Sequence, residues 1–310
     1  MQGKRISELP VPPALRAFFL ERFEDEPVRI VRTLEAKDGT KKYLFALADG
    51  NVIEGVLMKY KYGNTQCIST QVGCRMGCKF CASTLGGLVR NLSSGEILSQ
   101  VLKVNAMHGG TEKKRQVTNV VLMGSGEPLD NYENVIKFIR DMAADGGINI
   151  SPRNVSLSTC GLVPKMYGLA EEGLPVNLTV SLHNVTDEER ARTMPIAKRY
   201  KIAEILAACT NYFEKTGRRY IFEYSLIESE NADEAHARAL IDLLKGRPCH
   251  VNLIRLNEVK ERALLAASEK NAQAFLKTLT AGGISATLRR RMGADIGGAC
   301  GQLRAGYINN

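Results

Sequence analysis

From about Gln66 to Asn257 this 310-residue chain repeats one pattern, a short apolar run followed by a helical period, and that repetition restricts its fold more than any other feature. The apolar runs lie at 67–72, 117–123, 154–159, 176–182, 220–227 and 250–256. Helical periods fill the gaps. Ser93-Ser-Gly-Glu96 reads as a capping box ahead of Ile97, Leu98, Val101 and Leu102, its side chains satisfying backbone N–H groups that a helix start leaves free. Residues 132–142, 202–213 and 232–244 continue the series, with Ile205, Leu206, Cys209 and Tyr212 on one face of the second. Strand–helix alternation predicts a parallel sheet with helices outside it. Six units fall short of the eight that close a barrel, so the expected fold is α/β, a partial (β/α)6 TIM-type barrel.

The stretch before it has another character. Pro12-Pro13 suits a helix start, and Leu15, Phe18, Phe19 and Phe23 follow at helical spacing. Strand-like runs at 28–34, 43–47 and 52–58 are joined around Asp38-Gly39 and Asp49-Gly50, strong hairpin signals, which predicts a small antiparallel meander. The expected organisation is a shortened accessory region at 1–60 (a helix and the meander), the barrel at 61–295, and a C-terminal loop at 296–310.

In parallel sheets the working residues gather beyond the C-terminal ends of the strands. Polar islands fall at those ends: Gly124-Ser-Gly-Glu127-Pro128, Ser158-Thr159, Ser181-Leu-His183-Asn184 and Asn257. After the first run comes Cys74-Arg-Met-Gly-Cys78-Lys-Phe-Cys81. Three thiolates on one short loop can hold three corners of an iron–sulfur cube and leave the fourth iron open. A structural zinc site needs four ligands, and the next cysteine or histidine candidates, His108 and Cys160, lie outside zinc spacing.

Other residues carry weaker signals. Gly124-Ser-Gly-Glu127 pairs a close-approach backbone with a carboxylate, suited to the amino group of a cofactor. Glu54 shares a strand face with Val52, Val56 and Met58. It is either an edge-strand carboxylate in water, the slightly favoured reading, or a buried and perturbed one. Cys300 sits among Gly297, Gly298 and Gly301, where a thiol could swing into a site, and Cys67 stands seven residues before the cysteine loop. Cys209 belongs to an apolar helix face; Cys160 adjoins the cofactor rim, and Cys249 has no clear role.

No apolar run reaches membrane-spanning length and the first residues make no secretory signal, so no membrane association and a cytoplasmic location are expected. In that compartment eight cysteines read as ligands, catalytic thiols or packing. A net charge of +9, with clusters at Lys113-Lys-Arg115, Lys198-Arg199, Arg218-Arg219 and Arg289-Arg-Arg291, permits a polyanionic partner without requiring one.

The Cys-x3-Cys-x2-Cys spacing with Phe80 before the last cysteine resembles the radical S-adenosylmethionine (SAM) enzymes. Over 6–303 the chain resembles one of their families, the RlmN/Cfr RNA adenosine methyltransferases. The resemblance rests on Ile53-Glu54-Gly-Val-Leu-Met58, Gln71-Val-Gly-Cys74, Arg90-Asn-Leu92, Asn119-Val-Val-Leu-Met-Gly-Ser-Gly-Glu-Pro-Leu129, Leu157-Ser-Thr-Cys-Gly161, Ser181-Leu-His183, Met194-Pro195, Phe222-Glu-Tyr224, His250-Val-Asn-Leu-Ile254 and Ala299-Cys-Gly-Gln-Leu303. It implies that Cys74, Cys78 and Cys81 hold a [4Fe-4S] cluster, and that Gly126, Glu127, Ser158, Ser181, Leu182, His183 and Asn257 bind SAM. Cys300 would take a methyl group from one SAM. A radical made from a second SAM would remove a hydrogen from that methyl, which then joins the adenine ring as a protein–RNA crosslink. Cys67 would resolve the crosslink through a disulfide with Cys300, and Glu54 would remove the ring proton.

The implied substrate is 23S rRNA, with tRNA as a second one, methylated at adenosine carbon 2. The implied partners are an electron donor such as flavodoxin or ferredoxin, and the enzyme would act as a monomer. The alternatives are a carbon 8 methyltransferase of the antibiotic-resistance (Cfr-like) branch, in which Ala tends to replace Pro128, and a turnover-deficient iron–sulfur RNA-binding or redox protein. Three departures from the family pattern stand out: Ser125 in place of Met, Arg255 in place of Pro, and a shorter N-terminal helical part.

Overall fold

The computed structural model describes residues 5–111 and 114–303; Lys113 of one basic cluster and residues 304–310 of the expected C-terminal loop lie outside the described residues. A helix, α1 (Pro13–Leu20), precedes an antiparallel meander of β1 (Val28–Glu35), β2 (Lys41–Leu47) and β3 (Val52–Tyr60). Then come β4 (Gly63–Cys67), β5 (Gln71–Gly73), β6 (Leu88–Asn91), α2 (Ser94–Met107), β7 (Asn119–Leu122), α3 (Tyr132–Ala143), β8 (Val155–Thr159), α4 (Val163–Glu171) and β9 (Asn177–Ser181). The rest is α5 (Asp187–Thr193), α6 (Ile202–Thr216), β10 (Tyr220–Leu226), α7 (Glu234–Leu244), β11 (Cys249–Arg255), α8 (Glu269–Ala281) and β12 (Ala286–Leu288). Ser93 and Glu96 form the expected capping box of α2.

One ten-stranded sheet runs β1-β2-β3-β4-β7-β8-β9-β10-β11-β12. From β4 onward every neighbouring pair is parallel, which is the partial barrel; β1 to β4 pair antiparallel, so the meander continues the same sheet. β12 adds a seventh parallel strand that its three residues were too few to signal. The alternation of the pleat then sorts side chains. Tyr43, Phe45, Ile53 and Leu57 enter the main core with Ile97 and Val101 of α2. Lys42, Leu44, Glu54, Val56 and Cys67 occupy the other face, because Lys42 pairs with Val56, Leu44 with Glu54, and Val56 with Cys67.

The first apolar run is corrected by the structure. Residues 67–72 are not one strand: β4 ends at Cys67 and β5 begins at Gln71. Between them the main chain of Ser69 is satisfied by the side chain of Gln100, whose Oε1 accepts from Ser69 N at 3.0 Å and whose Nε2 donates to Ser69 O at 2.9 Å. A buried amide from α2 thus replaces the ladder hydrogen bonds a continuing strand would need.

Candidate active site

A cavity of about 140 Å³ opens at the C-terminal ends of the parallel strands. Gly126 and Glu127 reach it after β7, Ser158 at the end of β8, Ser181 and His183 at the end of β9, and Asn257 after β11. Cys74, Cys78 and Cys81 line it from the loop between β5 and β6. Cys300 closes it from the C-terminal loop. A second cavity beside it is lined by Val56, Met58, Cys67, Met123 and Arg289, and again by Asn257 and Cys300. Cys300 therefore stands between the cluster cysteines and Cys67.

The turn after β7 explains its glycines. A Cβ on Gly124 would lie 2.5 Å from Ile68 O, and one on Gly126 (φ +110) 2.7 Å from the Gln71 side chain, so only glycine lets this turn pack on the β4–β5 link. Glu127 is buried; it accepts from Cys160 N at 2.7 Å and Leu129 N at 3.1 Å, and burial raises its pKa above the usual carboxylate range. His183 has φ +59 and sits edge-on to Phe80, centroids 4.7 Å apart; its Nδ1 accepts from Ser225 N at 2.9 Å. Burial lowers its pKa to about 3, so the ring is neutral. Asn257 Nδ2 donates to Cys300 O at 3.1 Å, and Asn257 Oδ1 accepts from Arg291 Nε at 3.2 Å. Leu182 is not brought to the cavity: its side chain is core, its N–H donates to Glu223 O, and its carbonyl accepts from Arg190 Nε.

Burial pushes the Cys74 thiol up to about 12, and pushes those of Cys78 and Cys81 up as well. Such thiols stay protonated until a metal charge displaces the proton. Among the described residues no three His, Cys, Asp or Glu side chains converge as a single metal ion requires. The three thiols instead share one cavity wall, as one thiolate per iron of a cluster demands. A second observation fits a cluster. Arg190 is fully buried near Cys78 and Cys160; its Nη2 donates to Cys160 O and Ser181 O, while its Nη1 has no hydrogen-bond partner. Burial lowers the Arg190 pKa despite Asp187, Cys78 and Cys160 nearby, and the negative charge of a thiolate-bound cluster would offset that burial.

The thiol side holds two surprises. Glu54 is not in water: it is 6% exposed and paired with Lys42 Nζ at 2.7 Å, and Lys42 Nζ also donates to Gly297 O at 3.1 Å. It lies on an inner strand because β4 covers the edge that sequence left open. Cys67 is buried, with its thiol pushed up by burial and by Cys300. The expected Cys67–Cys300 disulfide is not formed; both are free thiols. Cys209 is core as expected, and Cys160 packs with Cys78 and Met194 at the cavity edge.

Sequence reasoning missed Glu223 and Arg289. Glu223 lines the first cavity and Arg289 the second, joined by a 2.7 Å ion pair. Glu223 inside the apolar run Tyr220–Leu226 was a readable sign of a buried carboxylate; Arg289 was hidden in a basic run read only as permitting a polyanionic partner.

Comparison with known proteins gives consistent matches. A family model described as the radical SAM superfamily matches residues 68–241. A protein of Clostridium perfringens (strain SM101 / Type A), named a probable dual-specificity RNA methyltransferase RlmN, is 56% identical over 275 residues, covering 89% of this chain and 78% of its own length. A Clostridium tetani protein of the same name is 49% identical over 301 residues, covering 97% and 85%. The crystal structure of a radical SAM methyltransferase from Sphaerobacter thermophilus superposes with a TM-score of 0.91 at 43% identity, covering 96% of this chain and 87% of that one.

Proposed function

Because the chain belongs to the RlmN/Cfr family of radical SAM RNA methyltransferases, we propose that it methylates carbon 2 of adenosine in RNA, at adenine 2503 of 23S rRNA and adenine 37 of tRNA. Its cofactors are a [4Fe-4S] cluster and SAM, which supply methyl groups and one-electron hydrogen abstraction. Such chemistry suits the target, since an adenine ring carbon is not nucleophilic enough to attack SAM directly. Cys74, Cys78 and Cys81 hold the cluster. Gly126, Glu127, Ser158, Ser181, His183 and Asn257 hold SAM at the strand ends. The enzyme works in the cytoplasm as a monomer and draws electrons from a flavodoxin or ferredoxin.

One observation carries the reading: Cys300 lines both cavities, so a group placed on its sulfur faces the cluster cysteines on one side and Cys67 on the other. In this reading Cys300 Sγ accepts the methyl group that becomes bonded to RNA. Glu54 takes the ring proton. Cys67 Sγ, as its thiolate, then bonds to Cys300 Sγ as the bond between Cys300 Sγ and the transferred carbon breaks. The electron pair of that bond stays on the carbon, which takes up a proton to become the methyl of the freed base, and an external dithiol reduces the disulfide before the next turnover.

The test is mass spectrometry on RNA from cells with and without this protein, joined to two single-thiol variants. Carbon 2 methyladenosine should disappear without the protein. Cys67→Ala should retain RNA covalently attached through Cys300, and Cys300→Ala should carry neither methyl nor RNA. A methyl at carbon 8 would assign the other branch; normal turnover by Cys67→Ala with no trapped RNA would remove Cys67 from the mechanism.

A further inference from the structure

Glu223 is a second carboxylate in the first cavity, beside Glu127, and the chemistry proposed above gives it no task. It stands in the middle of β10, where Phe222 and Tyr224 turn into the core and the pleat turns Glu223 the other way, into the barrel. A carboxylate is costly to place there, and burial raises its pKa. Arg289 opposes that shift, its Nη1 donating to Glu223 Oε1 at 2.7 Å. The other oxygen, Oε2, has no hydrogen-bond partner among the described residues. It is not sealed in, since the side chain keeps 8% of its surface exposed and lines the cavity. One oxygen is anchored and the other is open to whatever fills the space.

Its place along the sheet selects the group it meets. Glu127, suited to the amino group of a cofactor, follows β7; Glu223 lies on β10, three strands further on, a path of roughly 14 Å at the usual strand spacing of about 4.8 Å. A SAM molecule with its amino acid end at Glu127 and the cysteine loop therefore brings its nucleoside end to Glu223. An ionised carboxylate only accepts hydrogen bonds, which rules out the accepting ring nitrogens of adenine and leaves the two ribose hydroxyls and the N6 amine. The neighbours favour the ribose. Ser181 is the register partner of Glu223 on β9 and lines the same cavity, so a hydroxyl and a carboxylate stand abreast, as a vicinal diol requires. Ile254 and Leu256, on and just after β11, give the cavity apolar surface for the base beyond.

We propose that Glu223 binds the ribose of SAM, Oε2 accepting a hydrogen bond from one hydroxyl while Ser181 meets the other; the inference rests on the radical SAM reading above. Arg289 is then a positioning residue, which holds the carboxylate in place through Oε1. Because Arg289 also lines the cavity of Cys67 and Cys300, the ribose subsite and the two thiols are joined through one ion pair.

The experiment is anaerobic equilibrium dialysis of the reconstituted enzyme against SAM and against its 2′-deoxy, 3′-deoxy and N6-deaminated analogues. The variants are Glu223→Gln and the double variant Glu223→Gln/Arg289→Gln, which leaves no unpaired guanidinium behind. Iron content and thermal melting check that each is loaded and folded. Wild-type enzyme should bind one deoxy analogue roughly tenfold more weakly than SAM, the scale of one charge-assisted hydrogen bond. Both variants should bind SAM about that weakly and lose nothing further on the same analogue, because the contact is already gone. The inference is overturned if the variants keep the wild-type affinity for SAM, which would leave Glu223 facing water alone. It is overturned too if their losses simply add to those of both deoxy analogues. A loss shared with the deaminated analogue instead would put the base at Glu223, and a rise confined to KM for RNA would turn the carboxylate toward the substrate; each refutes the ribose contact. Failure of the wild-type enzyme to bind SAM at all would overturn the radical SAM reading as well.

Discussion

Two walls meet at Cys300, and they are built in opposite ways. The wall proposed to hold the cofactor comes from consecutive parallel strands, whose positions follow from a single core running under β7 to β11. The thiol wall is irregular chain held by a few distant polar contacts. Gly293 N donates to Asp38 Oδ2, Lys37 N to Asp295 Oδ2, Lys42 Nζ to Gly297 O, and Asn257 Nδ2 to Cys300 O. On the far side Ala82 N donates to Gly301 O and Ser83 Oγ to Leu303 O. Burial of a whole core fixes geometry firmly, whereas single hydrogen bonds are worth about 0.5–1.5 kcal/mol net and can be exchanged. A cofactor needs the first kind of wall. A thiol that serves two cavities needs the second.

The harshest way to break this contrast is to remove a cluster ligand. Cys78→Ala should lose the whole activity, and iron and sulfide analysis should fall from about four of each per chain to near zero. Melting should change far less than activity, since the strands do not depend on the loop. A variant that keeps its iron would refute the site.

Next comes the joint between the walls. Lys42→Met removes the 2.7 Å ion pair to buried Glu54, and breaking a buried pair from one side costs about 3–5 kcal/mol. The double variant Lys42→Met/Glu54→Gln should regain much of that stability in denaturant melts, yet still resolve the RNA adduct slowly. Recovery of both would mean that the pair only holds the meander together.

Glu127→Ala sharpens the cofactor side. Iron content should persist while SAM affinity, measured by equilibrium dialysis, falls roughly tenfold, as expected for losing one charge-assisted hydrogen bond. Unchanged affinity would reduce Glu127 to its bonds with Cys160 and Leu129.

The smallest effect is a pH dependence. His183 has a folded pKa of about 3 against an ordinary 6.5, so between those values the unfolded chain binds a proton that the folded chain does not. Its contribution is full above 6.5 and is lost as pH falls, by up to about 1.4 kcal/mol per unit. Wild-type protein should therefore lose more stability than His183→Gln between pH 7.5 and 5.5 in thermal melts. Parallel slopes would show that His183 does not govern acid sensitivity.

The same contrast decided what the sequence revealed. Period-two and period-3.6 patterns betray a core, so the barrel, the meander and the strand-end islands were legible, down to the Ser93–Glu96 cap. Partnerships across the thiol wall were not, because most join segments far apart in the chain, as Lys42 with Gly297 and Glu223 with Arg289 do. Nothing near Glu54 announces Lys42, and nothing near Arg289 announces Glu223. The break at Ser69 was equally hidden, since it depends on Gln100 from α2 replacing a strand's hydrogen bonds. Leu182 lies between two cavity residues, Ser181 and His183, but the pleat turns its own side chain into the core.

The docking of Gly301 and Leu303 on the cysteine loop also has a bearing on maturation. The Ser83–Leu303 bond joins residues 220 positions apart, and contacts of such long separation form late in folding. The strands and the cysteine loop can therefore assemble while Cys300 is still away from them. During that interval the three thiols proposed to hold the cluster face a mouth not yet closed, open to the iron and sulfide that the proposed cluster needs, and the loop carrying Cys300 docks over it afterwards.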